Sequence, residues 1–191
     1  RGDQISRLLA LLQNDPEYRR MYSETMDKLR RAEDATERAM TEAQGRLTQT
    51  TEDLTDMESR ASTLQDGTKV FRDAEGKAYT KDGRLLKDDE RDQVRWREGA
   101  PNYEEYLATR KATERARKDI DALRDYQITV LGAARDRMTD EDNPPTKEEL
   151  REIQKRIEEQ KPQALRAESG PPPTPEEPAT SKKFDTAVPD F

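Results

Sequence analysis

Apolar positions recur at spacings of three and four along most of this chain. The opening stretch "QISRLLALLQN" carries Ile5, Leu8, Leu9, Leu11 and Leu12, a spacing that suits one face of a short helix over residues 1–14. Asn14 or Asp15 can then cap a new helix with Pro16 at its first position, where a missing N–H costs nothing. Residues 14–16 therefore read as a joint between two helices. From residue 17 to residue 65 there is no proline and one glycine, Gly45. Met26, Met40, Leu47, Leu54 and Ala61 fall in one heptad slot, and Tyr22, Leu29, Ala43, Met57 and Leu64 in the other. Glu33, Thr36 and Thr50 interrupt the slots, as polar core residues that set register do. The alternation predicts one long helix over residues 15–65 with a coiled-coil seam, about 70 Å long at ~1.5 Å per residue.

A second periodic run covers residues 101–139. Pro101 suits a first helical turn. Tyr106, Thr113, Ile120, Gln127 and Ala134 form one row; Ala116, Leu123 and Val130 form the other. The segment "RKATERARKD" lies outward and reads as a solvated, salt-bridged face, interleaved with Glu114, Asp119 and Asp121. No aromatic residue punctuates it as a stacking platform for nucleic acid. Pro144 and Pro145 stop the run. Thr146 with Glu149 forms a capping box, and Leu150, Ile153 and Ile157 make one stripe, predicting a short packed helix over residues 146–160. Asp140, Glu141 and Asp142 lack the glycine and ligand spacing of a calcium loop and read as a turn.

Between the long runs, "DGTKVFRDAEGKAYTKDGRLLKDD" breaks the helical pattern. Val70-Phe71, Ala78-Tyr79 and Leu85-Leu86 are strand-like pieces, with Gly76 and Gly83 in the turns between them. "QVRWRE" adds an alternating piece, Val94 and Trp96 against Arg95 and Arg97. Residues 66–100 therefore predict a small β-meander, and helix–meander–helix implies a chain reversal. The expected fold is mainly α: a long antiparallel helical hairpin or coiled coil, a meander capping its tip, and an extended proline-rich tail. Phe71, Tyr79, Leu86 and Trp96 are expected to form the core of the cap. Alternatively Trp96 and Tyr79 make the tip a contact surface for a protein partner.

Composition narrows the function classes. Of 191 residues, 40% are charged and 30% hydrophobic. A compact globule is closer to half apolar, so an elongated shape with a narrow seam fits better. The net charge of -7 argues against nucleic-acid binding. The absence of cysteine and histidine removes disulfides, thiolate metal sites and the usual general base. No apolar run of about 18 residues exists to span a membrane. Carboxylates abound on helical faces but without the apolar surroundings that shift a catalytic pKa. We therefore expect no catalytic, cofactor or metal residues, no small-molecule substrate, and a cytoplasmic protein.

Residues 161–191 hold seven of the eleven prolines and end in "FDTAVPDF". This is an extended segment with apolar anchors at its end. The ending resembles the C-terminal docking peptide of bacterial single-stranded DNA-binding proteins, with Asp190 as acidic flank and Phe191 as terminal anchor; Pro189 stands one place earlier than in that pattern. Two function classes follow. One is a structural or assembly protein, in style like a phage or secretion scaffold, that self-associates or bridges protein partners. The other is an adaptor that docks through Phe184, Val188, Asp190 and Phe191.

Overall fold

A computed structural model describes residues 5–166 of the chain. It is mainly helical with a small three-stranded antiparallel sheet. Helix α1 (Arg7–Asn14) meets α2 (Pro16–Arg60) at Asp15. The Asp15 carboxylate accepts from Tyr18 N at 3.1 Å, and Pro16 opens the helix, as its neighbours dictate. Only Leu8 of the α1 cluster is buried; Ile5 and Leu9 stay exposed. Helix α2 runs 45 residues, about 67 Å at ~1.5 Å per residue.

Strands β1 (Ser62–Thr63), β2 (Lys69–Arg72) and β3 (Ala78–Thr80) follow, then the short α3 (Asp88–Arg91). Helix α4 (Tyr103–Tyr126) continues through a π-helical segment (Gln127–Gly132) into α5 (Ala133–Met138). Helix α6 (Lys147–Glu159) starts at the Thr146–Glu149 capping box, and α7 (Gln163–Arg166) closes the described chain. Among the described residues no helix is long and apolar enough to cross a membrane.

Contacts between α2 and the returning helices run in opposite order. Glu58 meets Tyr106, Arg46 meets Asp119, Glu33 pairs with Arg135, and Tyr18 reaches Pro145. Helix α6 lies along α2 in the same direction: Lys147 pairs with Asp15 and Glu17, Gln154 bonds Thr25, and Glu158 meets Lys28. The main core forms where these layers meet, around Leu29, Tyr126, Leu131, Met138, Leu150 and Ile157. A second cluster, Ala39, Ala43, Ile120 and Leu123, is covered in part by Leu165 of α7.

Polar residues in the seam are accounted for locally. Thr25 and Thr36 are fully buried and donate back to Met21 O and Ala32 O at 2.7 and 2.6 Å. Tyrosine hydroxyls tie the layers by donating to backbone carbonyls: Tyr18 to Pro145, Tyr22 to Met138 and Tyr126 to Ile157, at 2.6–2.7 Å. Burial pushes Tyr18 and Tyr126 up to about 12.

Three expectations are corrected. The first long helix ends at Arg60, not at residue 65, because Ser62 and Thr63 pair with Val70 and Lys69. Leu64 is therefore not a seam residue and packs under the sheet, whereas Ala61, the C-cap of α2, is buried with Leu54, Met57 and Tyr106 at the end of the seam. The second long helix runs unbroken from Tyr103 to Met138 but carries a π-helical segment. Tyr126, the last residue before that segment, is buried where the heptad expected Gln127, which is exposed; Val130 and Ala134 are buried as expected.

Candidate interaction surfaces

The insert folds as a meander with sheet order β1-β2-β3, extended by single bridges Thr63–Arg95 and Tyr79–Leu85. Gly76 and Gly83 adopt φ of 83° and 88°, the left-handed conformation that favours glycine at these turns. Asp73 stiffens the first turn by accepting from Glu75 N and Lys77 N. The cap has two small cores rather than one. Val70, Ala78, Leu86 and Val94 pack beneath the sheet; Phe71 turns to Ala61 and Tyr106. The expected core of Phe71, Tyr79, Leu86 and Trp96 thus separates: Phe71 and its cross-strand partner Tyr79 share one face, and Leu86 packs on the other with Val70 and Ala78.

Trp96 sits outside both cores and is 38% exposed. Its segment is pinned on each side: Arg95 N donates to Thr63 O at 2.8 Å and Arg97 N to Ser62 Oγ at 3.0 Å. The Arg72 guanidinium lies over the indole, 4.1 Å from the ring centroid. Around the pair is a shallow depression lined by Ser62, Asp73, Glu98 and Asn102. Tyr79 is engaged elsewhere, stacked on Tyr103 with centroids 4.1 Å apart. Phe71 stacks on Tyr106 at 4.0 Å, and the Tyr106 hydroxyl donates to Glu58 at 3.0 Å. Burial, with the Glu58 carboxylate beside it, raises Tyr106 to about 12. These stacks bolt the cap to the start of α4. Trp96 and Tyr79 therefore have different partners. Phe184, Val188, Asp190 and Phe191 lie outside the described residues.

A second surface was not foreseen. Beyond α7, α2 and α4 continue toward the cap as a pair, with no third helix over them among the described residues. Here Leu47, Leu54 and Met57 remain partly exposed, whereas Leu29, in the same heptad slot as Met57, is fully buried under the other layers. The charge on the two helices is opposite. Residues 47–58 carry Glu52, Asp53, Asp56 and Glu58 and no basic residue; facing residues 106–118 carry Arg110, Lys111, Arg115, Arg117 and Lys118 against Glu114 alone.

The basic run was expected to be salt-bridged. Among the described residues Lys111, Arg115, Arg117 and Lys118 have no ion-pair partner, and Arg110 donates to Lys81 O instead of to a carboxylate. Across the shaft, Glu52 and Asp53 likewise pair with no cation, and Asp56 pairs with Arg60 of its own helix. The bridge between the two helices, Arg46 to Asp119 at 3.6 Å, lies at the border of the three-layered part. Counting charge by segment rather than by run would have exposed this asymmetry.

Among the described residues no group of three or more acidic side chains is placed to hold a metal ion. No known protein family, curated protein or solved structure matches the chain.

Proposed function

We propose that the protein is a non-enzymatic structural or assembly component of the cytoplasm. In this reading it is an antiparallel coiled-coil hairpin, tipped by a rigid cap, that self-associates or bridges protein partners in a larger complex. The observation that carries the reading is the distal shaft. Leu47, Leu54 and Met57 stay partly exposed there, on helices whose remaining surface is charged. A seam left partly exposed along this stretch can be completed by another chain. The cap supports the same reading, because its stacks make it rigid while leaving Trp96 and Arg72 at the surface. Tryptophan and arginine are the residue types that dominate contact energies at protein interfaces.

Light scattering on the full chain over a range of concentrations tests the reading. A mass above 22.1 kDa that grows with concentration supports assembly. A constant monomer mass, with no protein captured by the cap, would discard it.

A further inference from the structure

We infer that the distal shaft is a docking face for a second copy of this chain, with α2 of each copy laid against α4 of the other. The inference rests on the assembly reading above and names its partner and its site.

The first support is where the third layer stops. Leu165 of α7 packs on the cluster of Ala39, Ala43, Ile120 and Leu123, and the described chain ends one residue later. From there to the cap, roughly 25 Å of shaft at ~1.5 Å per residue, the α2–α4 seam is covered on neither side by a described helix. Leu47, Leu54 and Met57 are its partly exposed residues, and Ala108 and Ala112 of α4 are exposed. Alanines on α4 let another helix approach closely.

The second support is charge. Glu52 and Asp53 on α2, and Lys111, Arg115, Arg117 and Lys118 on α4, make no ion pair among the described residues. A polyanion would satisfy α4 alone, and it would meet a chain of net charge -7. A cationic partner would satisfy α2 alone. A second copy related by a two-fold axis satisfies both at once, because the acidic helix of each copy faces the basic helix of the other. A face about 25 Å long and two helices wide buries on the order of 1,000 Å² in total, at the low end for a specific interface. The dimer should therefore be weak, roughly micromolar, and sensitive to salt.

The test uses the full chain and four variants. Glu52→Lys with Asp53→Lys reverses the α2 charges; Lys111→Glu with Arg115→Glu reverses those of α4. Glu52→Gln with Asp53→Asn, and Lys111→Gln with Arg115→Gln, neutralise the same sites and keep the helix intact if a reversal disturbs folding. Light scattering is read from roughly 1 to 100 µM, at low and high salt, with circular dichroism as the folding check. The wild type should dimerise at low salt and weaken as salt shortens screening from about 10 Å to about 3 Å. Each reversal should raise the dissociation constant at least about tenfold, and the neutral variants should raise it less. Mixing the two reversed proteins should restore the dimer. If the wild type is oligomeric but no variant alters it, this face is not the interface and the assembly reading stands. If the wild type is monomeric throughout, this inference falls, as does the self-association half of the assembly reading, which then stands only on the bridging of other protein partners. A dimer that appears only after residues 167–191 are removed would also overturn the inference, since that segment would then be the occupant.

Discussion

Leu29 and Leu54 belong to the same periodic seam, yet the structure places them in different environments. Leu29 is fully buried in the main core, whereas Leu54 is partly covered by one neighbouring helix. Leu29→Ala removes buried methyl groups in a site walled by three helical layers that cannot collapse onto it. Its cost should lie near 3–5 kcal/mol, transfer and cavity together. Leu54→Ala removes groups already partly exposed to water and leaves no closed cavity, so a smaller loss of about 1–2 kcal/mol is expected. At about 2–4 °C per kcal/mol for a chain of this size, Leu29→Ala should melt at least ~6 °C below wild type and Leu54→Ala ~2–8 °C below, the smaller of the two drops at any one slope. Thermal unfolding followed by circular dichroism in dilute protein reads the difference. Equal losses for the two variants would refute the division of the seam into a three-layered and a two-layered part. Repeating the Leu54→Ala melt at high concentration adds a second reading: if a partner copy covers the shaft, the cost of Leu54→Ala should grow with concentration, and that of Leu29→Ala should not.

Other outcomes follow from the same geometry. Leu47→Asp with Leu54→Asp should lower the melting temperature and abolish any self-association, because a carboxylate in the seam must be desolvated; unchanged melting and mass would remove both residues from the seam. Thr146→Ala should cost about 1 kcal/mol by deleting the α6 cap, seen as a lower melting temperature; no change would mean that the Arg137–Glu149 pair holds the helix start alone. Tyr18, Tyr106 and Tyr126 are raised from 10 to about 12, so the folded chain holds protons that the unfolded chain releases first. Their stabilising contribution is complete below pH 10 and is lost as pH climbs through about 12. Phenolate absorbance should therefore lag behind that of the unfolded chain and rise together with loss of helicity; early, uncoupled ionisation of these tyrosines would contradict their burial. Arg72→Ala should red-shift and further expose the emission of Trp96, the single tryptophan, with little change in melting, since an exposed cation–π contact is worth about 0.5–1 kcal/mol. An unchanged spectrum would mean that the guanidinium does not cover the ring.

Several elements could be read from the chain alone because their causes lie within a few residues. Asp15 caps the helix that Pro16 opens, and Thr146 with Glu149 opens α6; in each case side chain and amide are three residues apart, so tertiary context was not required. Gly76 and Gly83 marked the turns of the meander for the same reason. The spacing of Leu29, Ala43, Ile120 and Leu123 located the seam. The end of α2 was not legible, because Ser62 and Thr63 leave the helix to pair with residues 69 and 70, and a strand two residues long has no periodicity to detect. Nor could heptad counting foresee Tyr126 buried in place of Gln127; packing against α6 decides it, with the tyrosine hydroxyl donating to Ile157 O. The candidate interface divides in the same way. Opposite charges on residues 47–58 and 106–118 are a property of the sequence. That they make no ion pair between the two packed helices, on a stretch of shaft that α6 and α7 do not reach, is a property of the fold, because helix length and packing order set which surface remains uncovered.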